Sequence, residues 1–266
     1  MYDDGAYSDE HAGSKSRLPY WILIGLMAAC CRSARADEPT IERKIGDVTY
    51  SLRLQFRDHF DDLDDWLVES TGKLAVEKNW LKWDCFSSGK QAGTVWCKRR
   101  FSGPTVVEYD AVAEAGARNL NFIFYATHPQ GLLETTNSHT GTYGQYHVFP
   151  NYIITYLTPP VEGKPGAFSD TQWRIRFRKN PGFELLTERM VETNRDVARR
   201  RRITYVFDAE GRMELYVDGQ LLHAFHNKSP YRSGYHGVRT WNSDVRYANF
   251  SVYSIHGPRA KGAGKP

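Results

Sequence analysis

Arginine stands at every second position in the middle of Thr171–Asn180 (TQWRIRFRKN). Side chains of a β-strand alternate between its faces. Arg174, Arg176 and Arg178 would then share one side, and Trp173, Ile175 and Phe177 the other. Neighbours on one face lie about 6.5–7 Å apart, near the length of a sugar ring. Guanidinium pairs well with carboxylate or sulfate. The row suits a chain of acidic sugars; the plain alternative is a solvated sheet face.

Cleaving such a chain by β-elimination needs three groups. One neutralises the uronate carboxylate, one takes the C5 proton and one protonates the leaving oxygen. The expected assignment gives these roles to Arg176, to His147 as base (ordinary pKa about 6.5) and to Tyr146 as acid. Arg174, Arg178, Asn121, Tyr125 and Tyr143 are expected substrate contacts, with Asn121 and Tyr125 alternating onto one side of Asn119–Thr127 (NLNFIFYAT). Trp241 and Arg239, in RTWNS, offer an aromatic platform beside a cation. A Trp closing the core is the alternative there.

Hydrolysis would need two carboxylates about 5–9 Å apart. Glu108, Asp110 and Glu114 share a strand face, but Glu108 and Glu114 would be about 20 Å apart, which leaves Glu108 with Asp110 as the usable pair. No cofactor is expected. Asp58, Asp61, Asp62, Asp64 and Asp65 could hold a structural calcium ion or line a solvated turn. His128 and His139 fit no zinc spacing.

These residues need strands to place them. Val48–Phe56, Lys73–Val76, Thr94–Phe101, Thr105–Ala113, Asn119–Thr127 and Tyr152–Leu157 read as strands between turns. Asp218-Gly219 is a strong hairpin signal between Met213–Val217 and Gln220–Phe225, preceded by Ile203–Phe207 and followed by Gly237–Trp241 and Val245–Tyr253. His128–Gln145 reads as a polar loop and Pro159–Gly166 as a linker. Glu184, Glu188 and Glu192, spaced by four, point to one helix; Arg199–Arg202 reads as a solvated turn. About 10–14 strands with one helix imply two packed antiparallel sheets, an all-β sandwich.

Aromatics make up 14% of the 266 residues, a share that suits both sheet cores and sugar contacts. The net charge of +4 is too mild for a dedicated nucleic-acid binder. Lys15 and Arg17 precede the apolar run Leu18–Cys31, which is shorter than the roughly 20 residues that span a bilayer. Ala34-Arg35-Ala36 then resembles a signal-cleavage site. The expected organisation is a signal peptide with a polar leader at 1–36, the sandwich at 37–255 and a disordered tail at 256–266. That implies a secreted or periplasmic protein without stable membrane insertion after cleavage. In such a compartment Cys85 and Cys97 could pair or stay free.

The meander ITYVFDAEGRMELYVDGQLLHAF, followed by GVRTWNSDVRYANFSVY, resembles the end of a concanavalin A-like jelly-roll domain. FRDHFDDLDDWLVE, GTVWCKRRFSGPTVVEYDA and RNLNFIFYATHPQG are similar to its YesU-like branch, associated with polysaccharide degradation. The resemblance covers roughly Phe56–Tyr253. It implies a saccharide on the concave sheet face. It also implies comparison with the Glu-x-Asp-x-x-Glu strand of jelly-roll glucanases, from which Glu108–Glu114 departs by one residue. The expected function is binding or lyase-like cleavage of an extracellular, anionic polysaccharide or oligosaccharide. A glycoside hydrolase using Glu108 and Asp110 and a non-catalytic lectin-like module are the alternatives.

Overall fold

The alternating segments bury one apolar side of each sheet against the other, and each outer face carries polar rows beside a smaller apolar cluster. The structure is a computed structural model that describes residues 38–89, 91–128, 139–157, 169, 171–192 and 198–261. These belong to one compact unit. The expected signal peptide and the Pro159–Gly166 linker lie outside the described residues. No helix among those residues is long and apolar enough to cross a membrane.

The larger sheet has nine strands. Its main path runs β1 (Ile41–Ile45), β2 (Val48–Asp58), β16 (Ser243–Lys261), β7 (Thr105–Gly116), β12 (Arg201–Phe207), β13 (Arg212–Val217) and β14 (Gln220–His226). A branch pairs β4 (Lys73–Glu77) with β5 (Trp80–Asp84) and β5 with β16. The smaller sheet has seven strands in the order β11 (Glu184–Glu192), β10 (Gln172–Asn180), β9 (Asn151–Leu157), β8 (Leu120–Ala126), β15 (Ser233–Trp241), β6 (Ala92–Ser102) and β3 (Trp66–Ser70). All pairings among the described residues are antiparallel, and the all-β two-sheet sandwich is the fold.

Aromatic stacks join the sheets. Phe122 and Phe124 of β8 meet Tyr205 and Phe207 of β12, with ring centroids 4.8 and 3.8 Å apart. Each buried ring contributes about 2–3 kcal/mol of transfer free energy. Trp173, Ile175 and Phe177 are fully buried in this core, which turns the three arginines of β10 to the outer face of the seven-stranded sheet.

Some local expectations need correction. Residues 184–192 form strand β11, not a helix. A spacing of four is also an even number of strand steps, so Glu192, Glu188 and Glu184 stand opposite Gln172, Arg176 and Lys179 across a bulge. Strand β16 continues to Lys261 by pairing with Val48 and Thr49, which takes the first part of the expected tail into the sheet. Residues 262–266 lie outside the described residues. Cys85 and Cys97 are separate buried thiols, each pushed up to about 12 by burial. The Asp58–Asp65 segment is a hydrogen-bonded turn. Asp58 accepts from Trp66 Nε1 (2.7 Å), Asp62 from the Asp64 amide (2.9 Å), and Asp61 from Asn79 (2.5 Å). Among the described residues no group of three acidic, His or Cys side chains is arranged to hold a metal ion.

Candidate functional site

Strand register lines up one row of side chains across the whole seven-stranded sheet. Glu69, Thr94, Arg239, Asn121, Thr155, Arg176 and Glu188 are successive cross-strand partners. Strands lie about 4.8 Å apart, so Arg239 and Arg176, three strands apart, are separated by roughly 14 Å. Two residues along each strand runs an apolar row: Leu67, Trp96, Gly237, Ile123 and Ile153, ending at Arg178. Gly237 has to be glycine there, since a Cβ would come 2.7 Å from the Trp96 ring.

The apolar row needs a cover, and residues 139–149 supply it. Tyr146, in a 3-10 turn at Tyr143–Tyr146, and Phe149 pack with Trp96, Ile123 and Ile153 into a second core outside the sheet. Glu69, 1% exposed, pins this cover. It accepts from Tyr146 Oη (2.7 Å) and Trp96 Nε1 (2.9 Å), and His139 Nδ1 lies 3.1 Å away.

Covering the apolar row leaves the polar row as the floor of a cavity of about 560 Å³. Arg239, Asn121, Thr155 and Arg176 form its base, with Asn119 and Arg178 beside them. Tyr143, Thr142 and Phe183 wall one side; Trp241, Ala92, Gln91 and Thr71 wall the other. Trp241 is 46% exposed at this wall and not part of the core.

The electrostatics are one-sided. Three arginines line the cavity, and no carboxylate does so among the described residues. Of these three, Arg176 alone has an ion-pair partner among the described residues, Glu188. Arg178 donates to the Phe183 carbonyl (2.9 Å), with its guanidinium 3.9 Å from the Phe183 ring centroid. Arg239 is 2% exposed. Its Nη2 donates to the Gly141 carbonyl (3.2 Å) and its guanidinium lies 4.4 Å from the Tyr143 ring centroid, while Nε has no hydrogen-bond partner among the described residues. Burial pushes the Arg239 guanidinium below its ordinary value. An arginine nevertheless stays protonated in a protein. Oδ1 of Asn121 and of Asn119 are likewise buried without a partner among those residues. The site thus combines unmatched cations and aromatic surface over buried amide groups.

The structure brings six of the expected site residues together: Arg176, Arg178, Arg239, Asn121, Tyr143 and Trp241. Arg174 shares their sheet face, opposite Met190 and Leu157, beyond the cavity lining. Tyr125 is a correction. Its φ of 50° and the register shift on β15 break the alternation, so its ring joins the inner core and Oη donates to the Gly103 carbonyl (2.6 Å). Tyr146 is fully buried against Glu69 and does not line the cavity, so it cannot serve as the acid there. His147 is a further correction. Its ring stacks on Phe183 (centroids 3.8 Å) behind the wall, and burial, then Arg239 and Arg178, lower its pKa.

The expected hydrolytic pair is also displaced. Glu108 and Asp110 lie on β7 of the other sheet, flanking the core residue Tyr109 and pointing out of the opposite face. Arg43 and Arg202 hold Glu108 at 2.8 and 3.0 Å; Arg200, Arg202 and Asn249 hold Asp110. Thr155, Asn119 and Phe183 were not foreseen. Thr155 follows from the alternation of YIITYL, whereas nothing local marks Phe183.

Residues 88–250 match the model of a domain of unknown function, DUF6250. The chain belongs to this family. No curated protein matches the DUF6250 chain in sequence. Among solved structures it is similar to a Bacillus subtilis protein of unknown function with a galectin-like fold, at 18% identity and a TM-score of 0.63 over 82% of this chain and 100% of that one. It is also similar to the endo-β-1,3-glucanase of Pyrococcus furiosus (10%, TM-score 0.53, 82% and 99% covered). A third likeness is to the carbohydrate-binding module CBM66 of Bacillus subtilis (13%, TM-score 0.50, 73% and 98% covered). At these identities the likeness establishes the galectin-like, jelly-roll sandwich of the DUF6250 chain.

Proposed function

We propose that the protein is a lectin-like module that binds an acidic extracellular polysaccharide or oligosaccharide in this cavity. The observation that carries the reading is the presence of Arg178 and Arg239 in the cavity lining with no carboxylate to match them among the described residues. Carboxylate or sulfate groups would supply the missing charge through strong, charge-assisted hydrogen bonds. Trp241 and Tyr143 supply aromatic surface for the C–H faces of the sugar. The occurrence of this fold in a carbohydrate-binding module and a glucanase supports the saccharide class. The signal peptide expected from the sequence of residues 1–36 would carry the protein to where such polymers occur.

Calorimetric titration with acidic oligosaccharides (galacturonate, alginate and sulfated series) and neutral β-glucan oligosaccharides tests this. The expected result is binding of at least one acidic series that weakens with salt. Equal binding of neutral sugars, or none of any acidic series, overturns it. A second reading, cleavage by β-elimination, rests on Tyr143 alone. Its phenol faces the cavity 3.5 Å from Thr155 Oγ1, beside Arg239. It predicts ultraviolet-absorbing unsaturated product that disappears in Tyr143→Phe; a flat absorbance with every acidic series removes it.

A further inference from the structure

The polar row crosses seven strands, but the cavity does not. At the β3–β6 end the backbone at 139–142 lies directly on the sheet. Gly141, with φ 78°, stands so close that a Cβ would come 2.4 Å from Gly93 Cα and 2.7 Å from the Glu69 carbonyl. His139 and Tyr146 fasten this segment to Glu69. The row therefore stops at Arg239, whose guanidinium donates to the Gly141 carbonyl at the wall. At the other end Arg176 and Glu188 have side chains 26% and 38% exposed. A saccharide lying along the row from β10 would run inward and meet the wall at Arg239.

Resting on the reading above, we propose that the cavity receives the end of an acidic glycan chain, with the anionic group of its terminal sugar seated on Arg239. The roughly 14 Å from Arg176 to Arg239 exceeds one sugar ring, so the bound portion is an oligosaccharide with at least two acidic groups. Arg239 and Asn121 both line this end of the cavity, and Arg239 Nε and Asn121 Oδ1 are buried beneath it without partners among the described residues. Arg239 is then a specificity-determining residue, and the Gly141 segment is what closes the polar row of the groove at Arg239.

The test uses the full chain and an acidic polymer of the bound series, titrated before and after partial cleavage by an endo-acting enzyme. Uronate and sulfated polymers are run in parallel to separate carboxylate from sulfate as the terminal group. Binding sites per gram of glycan should rise in proportion to the new chain ends. Sites per gram that stay constant overturn end recognition while leaving acidic-glycan binding intact. No binding of either polymer or its fragments overturns the underlying reading as well. Arg239→Met should weaken binding about ten- to hundredfold with a thermal midpoint equal to or above that of the parent. A midpoint that falls while affinity is unchanged assigns Arg239 a structural role instead. Arg239→Lys keeps the charge but loses the fork. It should show a smaller loss of affinity, and it serves where the Met variant does not fold; unchanged affinity in it contradicts the seat.

Discussion

The two outer faces of this sandwich both carry arginines and treat them in opposite ways. On the nine-stranded sheet, Arg43 and Arg202 share Glu108, Arg200 and Arg202 hold Asp110, and Arg212 meets Glu214. On the seven-stranded sheet Arg176 pairs with Glu188, but Arg174, Arg178 and Arg239 have no ion-pair partner among the described residues. A buried cation without a partner is unfavourable by several kcal/mol. The paired face therefore reads as internal structure. The unpaired face reads as a surface whose matching charges arrive with a ligand.

The comparison is most strongly challenged on the paired face. Glu108→Ala removes the shared acceptor of Arg43, Arg202 and Thr204. It should destabilise by about 2–3 kcal/mol in urea unfolding, below the full value for a buried pair because the arginine heads are partly exposed. Glycan affinity should not change; a loss of binding with stability intact would erase the division between the faces.

Acid separates the core from the cavity in a second way. His236 is fully buried, its Nδ1 accepts from the Tyr125 amide (3.3 Å), and burial lowers its pKa to about 3. The unfolded chain binds this proton near pH 6.5 and the folded chain near pH 3, so stability falls as pH drops through that window. The loss is up to about 1.4 kcal/mol per pH unit. The cavity guanidiniums do not titrate there. A sulfated ligand should therefore keep its affinity at pH 5 while the unfolding midpoint falls. Stability that is flat from pH 7 to 5 contradicts the assignment for His236.

Smaller effects sharpen the cavity itself. Trp241→Ala should weaken binding roughly five- to tenfold, the scale of one aromatic contact, with little change in thermal midpoint because the ring is already half exposed. Glu188→Gln releases Arg176 from its partner. It should strengthen binding of an acidic oligosaccharide about two- to threefold at low salt, on the scale of an exposed ion pair. Weaker binding in Glu188→Gln would mean that the carboxylate itself contacts the ligand.

Much of this arrangement was legible in the sequence because sheet patterning is local. Alternation in TQWRIRFRKN and NLNFIFYAT set Arg176, Arg178 and Asn121 each opposite the apolar side of its own strand, and the Asp-Gly turn set the β13–β14 hairpin. What escaped depends on distant partners. Strands β3 and β5 are five residues each, too short to show a pattern. Edge strand β11 buries little of either side, so its acids read as a helix face. Tyr146 looked available because its acceptor, Glu69, lies 77 residues away. Glu108 looked like a catalytic acid because Arg202 lies 94 residues away. The inward turn of Tyr125 is a left-handed backbone at a residue that is not glycine, which composition does not announce.

A crystal structure of the protein soaked with an acidic oligosaccharide of the tightest-binding series tests the central claim most directly. The account predicts sugar density between Trp241 and Tyr143, with anionic groups within hydrogen-bonding distance of Arg178 and Arg239. An empty cavity with the sugar on the nine-stranded sheet, or a bound sugar whose acidic groups turn away from both arginines, would contradict it.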